Sequence, residues 1–152
     1  MPGDIPTANS LGPLVNGGAW SGWSQWQGHD PFEDLVGPFY ARREPDGRIC
    51  CGWRPQGINL NGHGAVHGGA LMTFADYSLF LIAHDHLRGV GAVTVSLNAE
   101  FLNGTRAGNV LVSRGEVTKA GRSLMFVRGM VLGDEQPVLN FSGVVKIVRR
   151  RT

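Results

Sequence analysis

The densest group of chemistry-bearing residues runs Asn61-Gly62-His63-Gly64-Ala65-Val66-His67-Gly68-Gly69 and is followed, inside an apolar stretch, by Asp76. Glycines at 62, 64, 68 and 69 let the backbone come close to a ligand. Gly68 and Gly69 fall where a helix begins. Backbone N–H groups there lack intrahelical partners and carry the positive end of the helix dipole. Such groups can hold a carbonyl oxygen that becomes negative as it is attacked. A carboxylate among apolar residues is costly unless it is paired or used, which singles out Asp76. Each residue also has a plain reading. His67 can be a hydrogen-bonded loop residue, Asp76 a cap or the partner of an arginine, and the glycines a common helix approach. Their combination, just before a strand of alternating polarity, favours the chemical reading.

Other chemistries find less support. Cys50 and Cys51 are adjacent, and neighbouring cysteines bridge only with strain. One such pair is neither a disulfide framework nor a metal signature, so two reduced thiols and no metal or organic cofactor are expected. The chain has 14 Lys and Arg against 12 Asp and Glu. Four of the basic residues are Lys146, Arg149, Arg150 and Arg151, and without them the remainder is slightly acidic. No basic face for nucleic acid is expected. No apolar run reaches the roughly 18 residues of a membrane span, and residues 1–20 lack the pattern of a signal peptide. The expectation is a cytoplasmic protein with no membrane partner.

The elements that must position this group can be read from periodicity. At 152 residues the chain is the size of one domain. Residues 1–30 read as an irregular arm and residues 31–152 as a single domain. In the arm, Trp20, Trp23 and Trp26 recur every three residues, which predicts an apolar helical stripe packed on a core or partner, or a lid over a pocket. Asp30-Pro31 opens a short helix with Phe32, Leu35 and Val36 on one side, and Gly37-Pro38 ends it. Strands over 39–43 and 48–54 flank the turn Glu44-Pro45-Asp46-Gly47. The long helix is predicted over 69–86, stopped by Gly89 and Gly91. It is apolar nearly all round, which predicts burial on every side.

Beyond it the period becomes two. Val93, Val95, Leu97, Ala99 and Phe101 alternate with Thr94, Ser96, Asn98 and Glu100. Further strands are predicted over 110–119, 123–132 and 138–148, the last with Leu139, Phe141, Val145 and Ile147 on one face. The order gives an α+β fold, a mostly antiparallel sheet wrapped around one long central helix. Charged residues are only 17% of the chain, which hints at surface hidden in an oligomer.

The segment from Asn61 to Asp76, with Ala92-Val93-Thr94-Val95, Gly121-Arg122-Ser123 and Phe141-Ser142-Gly143, resembles the hotdog-fold acyl-CoA thioesterases of the 4-hydroxybenzoyl-CoA thioesterase superfamily. Its pattern is similar to the phenylacetyl-CoA thioesterase-like branch, over residues 31–148. The resemblance implies hydrolysis of an acyl-CoA without a cofactor. It makes Gly68 the N–H donor to the thioester carbonyl and Asn61 the loop residue that helps place the carbonyl or water. His67 has a supporting role. Asp76 activates water or attacks the carbonyl itself, and Thr94 orients the water. Gly69, Tyr77, Phe80 and Arg122 become substrate-binding candidates, with Arg106 and Arg149–Arg151 as further candidates for the CoA phosphates. His63 departs from the small or apolar residue usual in this loop.

Helix geometry adds a constraint. Gly68 and Asp76 are separated along one helix by roughly 12 Å. A carbonyl and its attacking water need both within about 3 Å. The expected site is therefore shared across a twofold axis, with Asn61, His67 and Gly68 from one chain and Asp76 and Thr94 from the other. A homodimer follows from this reading, and the resemblance implies that dimers pair into tetramers in some members. Two alternatives differ in class. One is a hotdog hydratase or dehydratase, disfavoured by the two glycines after His67. The other is a non-catalytic acyl-CoA-binding hotdog protein, disfavoured by a chain too short for an output domain.

Overall fold

A computed structural model describes residues 11–25 and 30–148 of the chain. The elements in order are α1 (Pro31–Val36), β1 (Phe39–Arg43), β2 (Ile49–Trp53), a 3-10 turn (Gly57–Asn59), α2 (Gly68–Ile82), a second 3-10 turn (His84–His86), β3 (Gly91–Phe101), β4 (Leu111–Ala120), β5 (Leu124–Gly133) and β6 (Gln136–Val148). The six strands form one sheet in the order β1-β2-β4-β5-β6-β3, and every pairing is antiparallel.

Local chemistry explains most boundaries. Asp30 Oδ1 accepts the Glu33 N–H at 3.0 Å and caps α1, with Pro31 in its first turn, a position where the missing N–H costs nothing. The β1–β2 turn closes through Glu44 N–H to Arg48 O at 2.8 Å. Gly47 supplies the positive φ of +87° that the turn needs, a conformation glycine adopts without steric cost. The long helix ends earlier than its apolar pattern suggested, at Ile82. Beyond Ala83 the chain tightens into the 3-10 turn, where Arg43 of β1 holds Asp85 through two 3.0 Å bonds.

The core lies between α2 and the concave face of the sheet. Trp53, Phe74, Leu79, Leu111, Leu139 and Phe141 are fully buried there. Gly143 makes room for α2 on β6, since a Cβ at that position would meet Leu79 Cδ1 at 2.4 Å. One buried polar contact ties helix to sheet: Ser78 Oγ lies 2.6 Å from Ser113 Oγ and also donates to Phe74 O. The expectation of a helix buried on all sides fails within one chain. Ala70, Leu71, Phe74, Ala75, Tyr77, Ser78 and Leu79 are buried, whereas Met72, Thr73, Asp76, Phe80, Leu81 and Ile82 keep partial exposure. A single sheet covers one side of a helix, and the other side needs a second surface.

Two further expectations are corrected. The apolar set on β3 does not share one face. A bulge at Val95 shifts the β3–β6 register between Thr94 and Ser96. Before it Ala92 and Thr94 face α2, and after it Leu97 and Ala99 do, while Val93 and Val95 face outward at 46% and 52% exposure. A bulge inserts one unpaired residue and so reverses the alternation beyond it. In the arm, residues 11–25 form no helix. Trp20 stacks on Tyr40 with centroids 4.3 Å apart and meets Trp23 edge-on at 5.1 Å, over Gly52 on the outer face of the sheet. Ser24 pairs with Ala41 and covers the β1 edge. Trp26 lies outside the described residues.

Candidate active site

The loop before α2 is organised by Asn61. Its Oδ1 accepts from the N–H groups of His63 and Ala65 at 2.9 and 3.1 Å, and its own N–H donates to Ala65 O at 2.7 Å. The side-chain oxygen is thus spent on the turn, which leaves the Nδ2 hydrogens to act outward. Exposed His63 has its backbone held by this turn. The loop is anchored on either side by Val66 N–H to Thr105 O at 2.8 Å and His67 N–H to Asn59 O at 2.7 Å.

His67 is the N-cap of α2. Its Nδ1 accepts the Gly69 N–H at 2.8 Å, so one of the orphan donors of the helix start is used internally. The Gly68 N–H has no intramolecular acceptor among the described residues. The ring of Phe101 leans on Gly68, where a Cβ would stand 3.2 Å from it. His67 and Gly69 border a shallow groove of about 280 Å³, whose other walls include Phe32, Leu35 and Ile58. Those three apolar side chains are 61%, 60% and 70% exposed.

Two turns further along α2, Asp76 Oδ1 accepts the Thr94 hydroxyl at 2.6 Å. Charge-assisted bonds of this kind are short and stronger than neutral ones. The pair borders a separate cleft of about 570 Å³. Tyr77, Phe80, Leu81, Leu87 and Val90 supply its apolar walls, and Leu11 of the arm closes one side. Tyr77 also belongs to an aromatic cluster with Phe39 and Phe74, and burial pushes its hydroxyl well above the usual tyrosine range. Within one chain, then, the Asp76–Thr94 pair borders one depression, and His67 and Gly69, the neighbours of Gly68, border another.

The cleft contains groups that motif reading missed. Glu33 of α1 lines it together with Asp30, Asp34 and Asp76. Burial, and then repulsion from Asp30, Asp76 and Asp34, pushes the Glu33 carboxyl up to about 7. His84 also lines the cleft; its Nε2 is buried without a hydrogen-bond partner among the described residues, and burial lowers its pKa. In the sequence Glu33 reads as an ordinary first-turn acid. The only available signal was its position one turn from a Pro-initiated cap, which says nothing about the cleft.

The remaining candidates fall elsewhere. Arg122 is exposed in the β4–β5 hairpin and lines neither depression, and Arg106 is exposed in the loop after β3. Residues 149–151 lie outside the described residues. Among the described residues no three His, Cys, Asp or Glu side chains are grouped to hold a metal ion. No helix is long and apolar enough to cross a membrane.

Comparison with known proteins gives the family and the fold. The thioesterase superfamily pattern matches residues 63–139, which contain His67, Gly68, Asp76 and Thr94. The esterase-like protein PA0474 of Pseudomonas aeruginosa is 31% identical over 115 residues, covering 75% of this chain and 86% of that one. Acyl-coenzyme A thioesterase 13 of Homo sapiens is 25% identical over 95 residues, covering 62% and 68%. The crystal structure of the BH2602 protein of Bacillus halodurans with CoA superposes with a TM-score of 0.73 at 22% identity, covering 83% of each chain. With the sheet wrapped on α2 and the His-Gly-Gly cap at the helix start, the chain belongs to the thioesterase superfamily and has the hotdog fold.

Proposed function

We propose that the protein is an acyl-CoA thioesterase that hydrolyses its substrate at a site shared by two copies of the chain. The observation that carries this reading is the 2.6 Å Thr94–Asp76 bond beside a cleft, on the same helix whose first N–H, at Gly68, has no acceptor among the described residues. The thioester carbonyl accepts from the Gly68 N–H of one protomer, with the Nδ2 of Asn61 beside it. The carboxylate of Asp76 in the partner takes a proton from water as the water adds to the carbonyl carbon. The tetrahedral oxyanion is held by the amide donor. Its collapse breaks the C–S bond, the proton held by Asp76 passes to the departing thiolate, and the free acid and CoA are released. Thr94 holds Oδ1 and leaves Oδ2 for the water. His67 fixes the helix start through Gly69 and takes no proton.

The dimer is part of the proposal. The exposed side of α2 and the apolar groove of Phe32, Leu35 and Ile58 supply a surface that a second copy would bury. Antiparallel α2 helices across a twofold axis would bring each Gly68 N–H to the other chain's Asp76. Relatives named as an acyl-coenzyme A thioesterase and structures solved with CoA support the substrate class.

The test is a panel of acyl-CoA esters with released thiol as the readout. Asp76→Asn should lose at least roughly 100-fold in kcat with a smaller change in KM, as expected for a positioned base. A folded, dimeric Asp76→Asn protein with near-normal kcat would overturn the mechanism. Tight acyl-CoA binding with no hydrolysis by the wild-type protein would favour a non-catalytic binding protein.

A further inference from the structure

We propose that Glu33 makes the Asp76 cleft select uncharged acyl groups and reject acyl groups that carry a carboxylate. The inference rests on the thioesterase reading of this cleft. Among the described residues its lining holds four carboxylates, Asp30, Glu33, Asp34 and Asp76, and no lysine or arginine. The CoA nucleotide carries the phosphates, so a cleft lined this way suits the opposite, acyl end of the substrate. Apolar walls from Tyr77, Phe80 and Leu81 suit a hydrocarbon or aryl group.

Of the four carboxylates, Glu33 is the one left to interact with the acyl group. Asp76 is engaged by Thr94. Asp30 caps α1 through the Glu33 N–H. Asp34 is exposed. The Glu33 side chain is half-buried and has no hydrogen bond or ion pair among the described residues. Among the described residues lining the cleft no lysine or arginine pairs with it, and a second anion brought into the cleft would meet none there. Like charges in a partly desolvated space repel far more strongly than in water.

The groups facing Glu33 make this selectivity pH-dependent. Asp30 and Asp34 lie at its own helix, Asp76 and Tyr77 come from α2 and Cys51 from β2, while the 3-10 turn Gly57–Asn59 brings no charge. Burial lowers the pKa of His84, which disfavours a positive charge there. Together with burial, the acids push the Glu33 carboxyl to about 7. The rejection should therefore strengthen as pH rises through neutrality.

The experiment compares hexanoyl-CoA with adipoyl-CoA, which has the same six-carbon chain but ends in a carboxylate charged throughout the range used. The readouts are kcat/KM, and Kd for non-hydrolysable thioether analogues of both by calorimetry, at pH 6 and pH 8. The wild-type protein should prefer the hexanoyl chain by at least tenfold at pH 8 and less at pH 6. Glu33→Gln should narrow the pH 8 preference at least threefold and remove its dependence on pH. Equal preference in the wild type and Glu33→Gln, with a flat wild-type profile, would overturn the role of Glu33. The wild-type pH series is informative even if the variant folds poorly. Preserved Kd discrimination with no hydrolysis would refute the thioesterase reading and leave the charge selection standing. Failure of both analogues to bind would overturn both.

Discussion

Thr94 Oγ1 donates to Asp76 Oδ1 at 2.6 Å, and it reaches that oxygen only because the β-bulge at Val95 lets Thr94 face α2 while Leu97 and Ala99 still face the core. In an unbroken strand, turning Leu97 and Ala99 inward would point Thr94 outward, away from the carboxylate. The bulge lets one strand serve both the core and the site.

This contact should be measurable in turnover. Thr94→Val removes the hydroxyl while keeping the branched shape, and should lower kcat by about 10-fold or more, in line with a hydrogen bond to a charged group. Thr94→Ser should keep most activity. Equal kcat values for Thr94→Val and the wild type in an acyl-CoA assay would remove Thr94 from the mechanism.

The shared site can be tested by mixing inactive variants. Gly68→Val blocks the amide donor against Phe101, and Asp76→Asn removes the base. A heterodimer collects both lesions at one site and leaves the other intact. Random reassortment makes about half of the dimers mixed, so roughly a quarter of all sites should regain activity. Native mass spectrometry verifies the exchange. Confirmed heterodimers without recovered turnover would refute a site built from two chains.

Glu33 also links stability to pH. Its carboxyl is raised from 4.5 to about 7 in the folded protein, so between these values the native state holds more protons than the unfolded chain. The associated stabilisation is full below pH 4.5 and is lost as pH rises through about 7. Glu33→Gln should therefore be more stable than the wild type at pH 8. With the side chain only partly buried, solvent screening reduces the gain to roughly 1 kcal/mol. Urea melts of both proteins at pH 5 and pH 8 measure it, and parallel stability curves would contradict the shift.

The two cysteines should resist modification in the native state. Cys50 and Cys51 are both fully buried and free. Burial raises both thiols, that of Cys51 to about 12, and the thiolate is the reactive form. Ellman's reagent should label neither in the folded protein within minutes and both after denaturation. Rapid native labelling would place at least one thiol outside the core.

The sequence alone determined the features that depend on near neighbours. The cap at Asp30, the turn at Glu44–Gly47 and the start of α2 at Gly68 follow from side-chain and backbone preferences acting over a few residues. The motif from Asn61 to Asp76 was legible for the same reason, because a helix of known rise sets the separation of Gly68 and Asp76. What required the tertiary structure were relations between distant segments. The placement of β3 beside β6 at the sheet edge, away from the next strand in sequence, depends on β6 returning across the sheet. The bulge at Val95 depends on matching that partner while packing α2. The charge environment of Glu33 arises only when α1 packs on α2 and brings Asp76 near it. Periodicity reports which residues prefer burial; packing decides which surface covers them and which charges they meet.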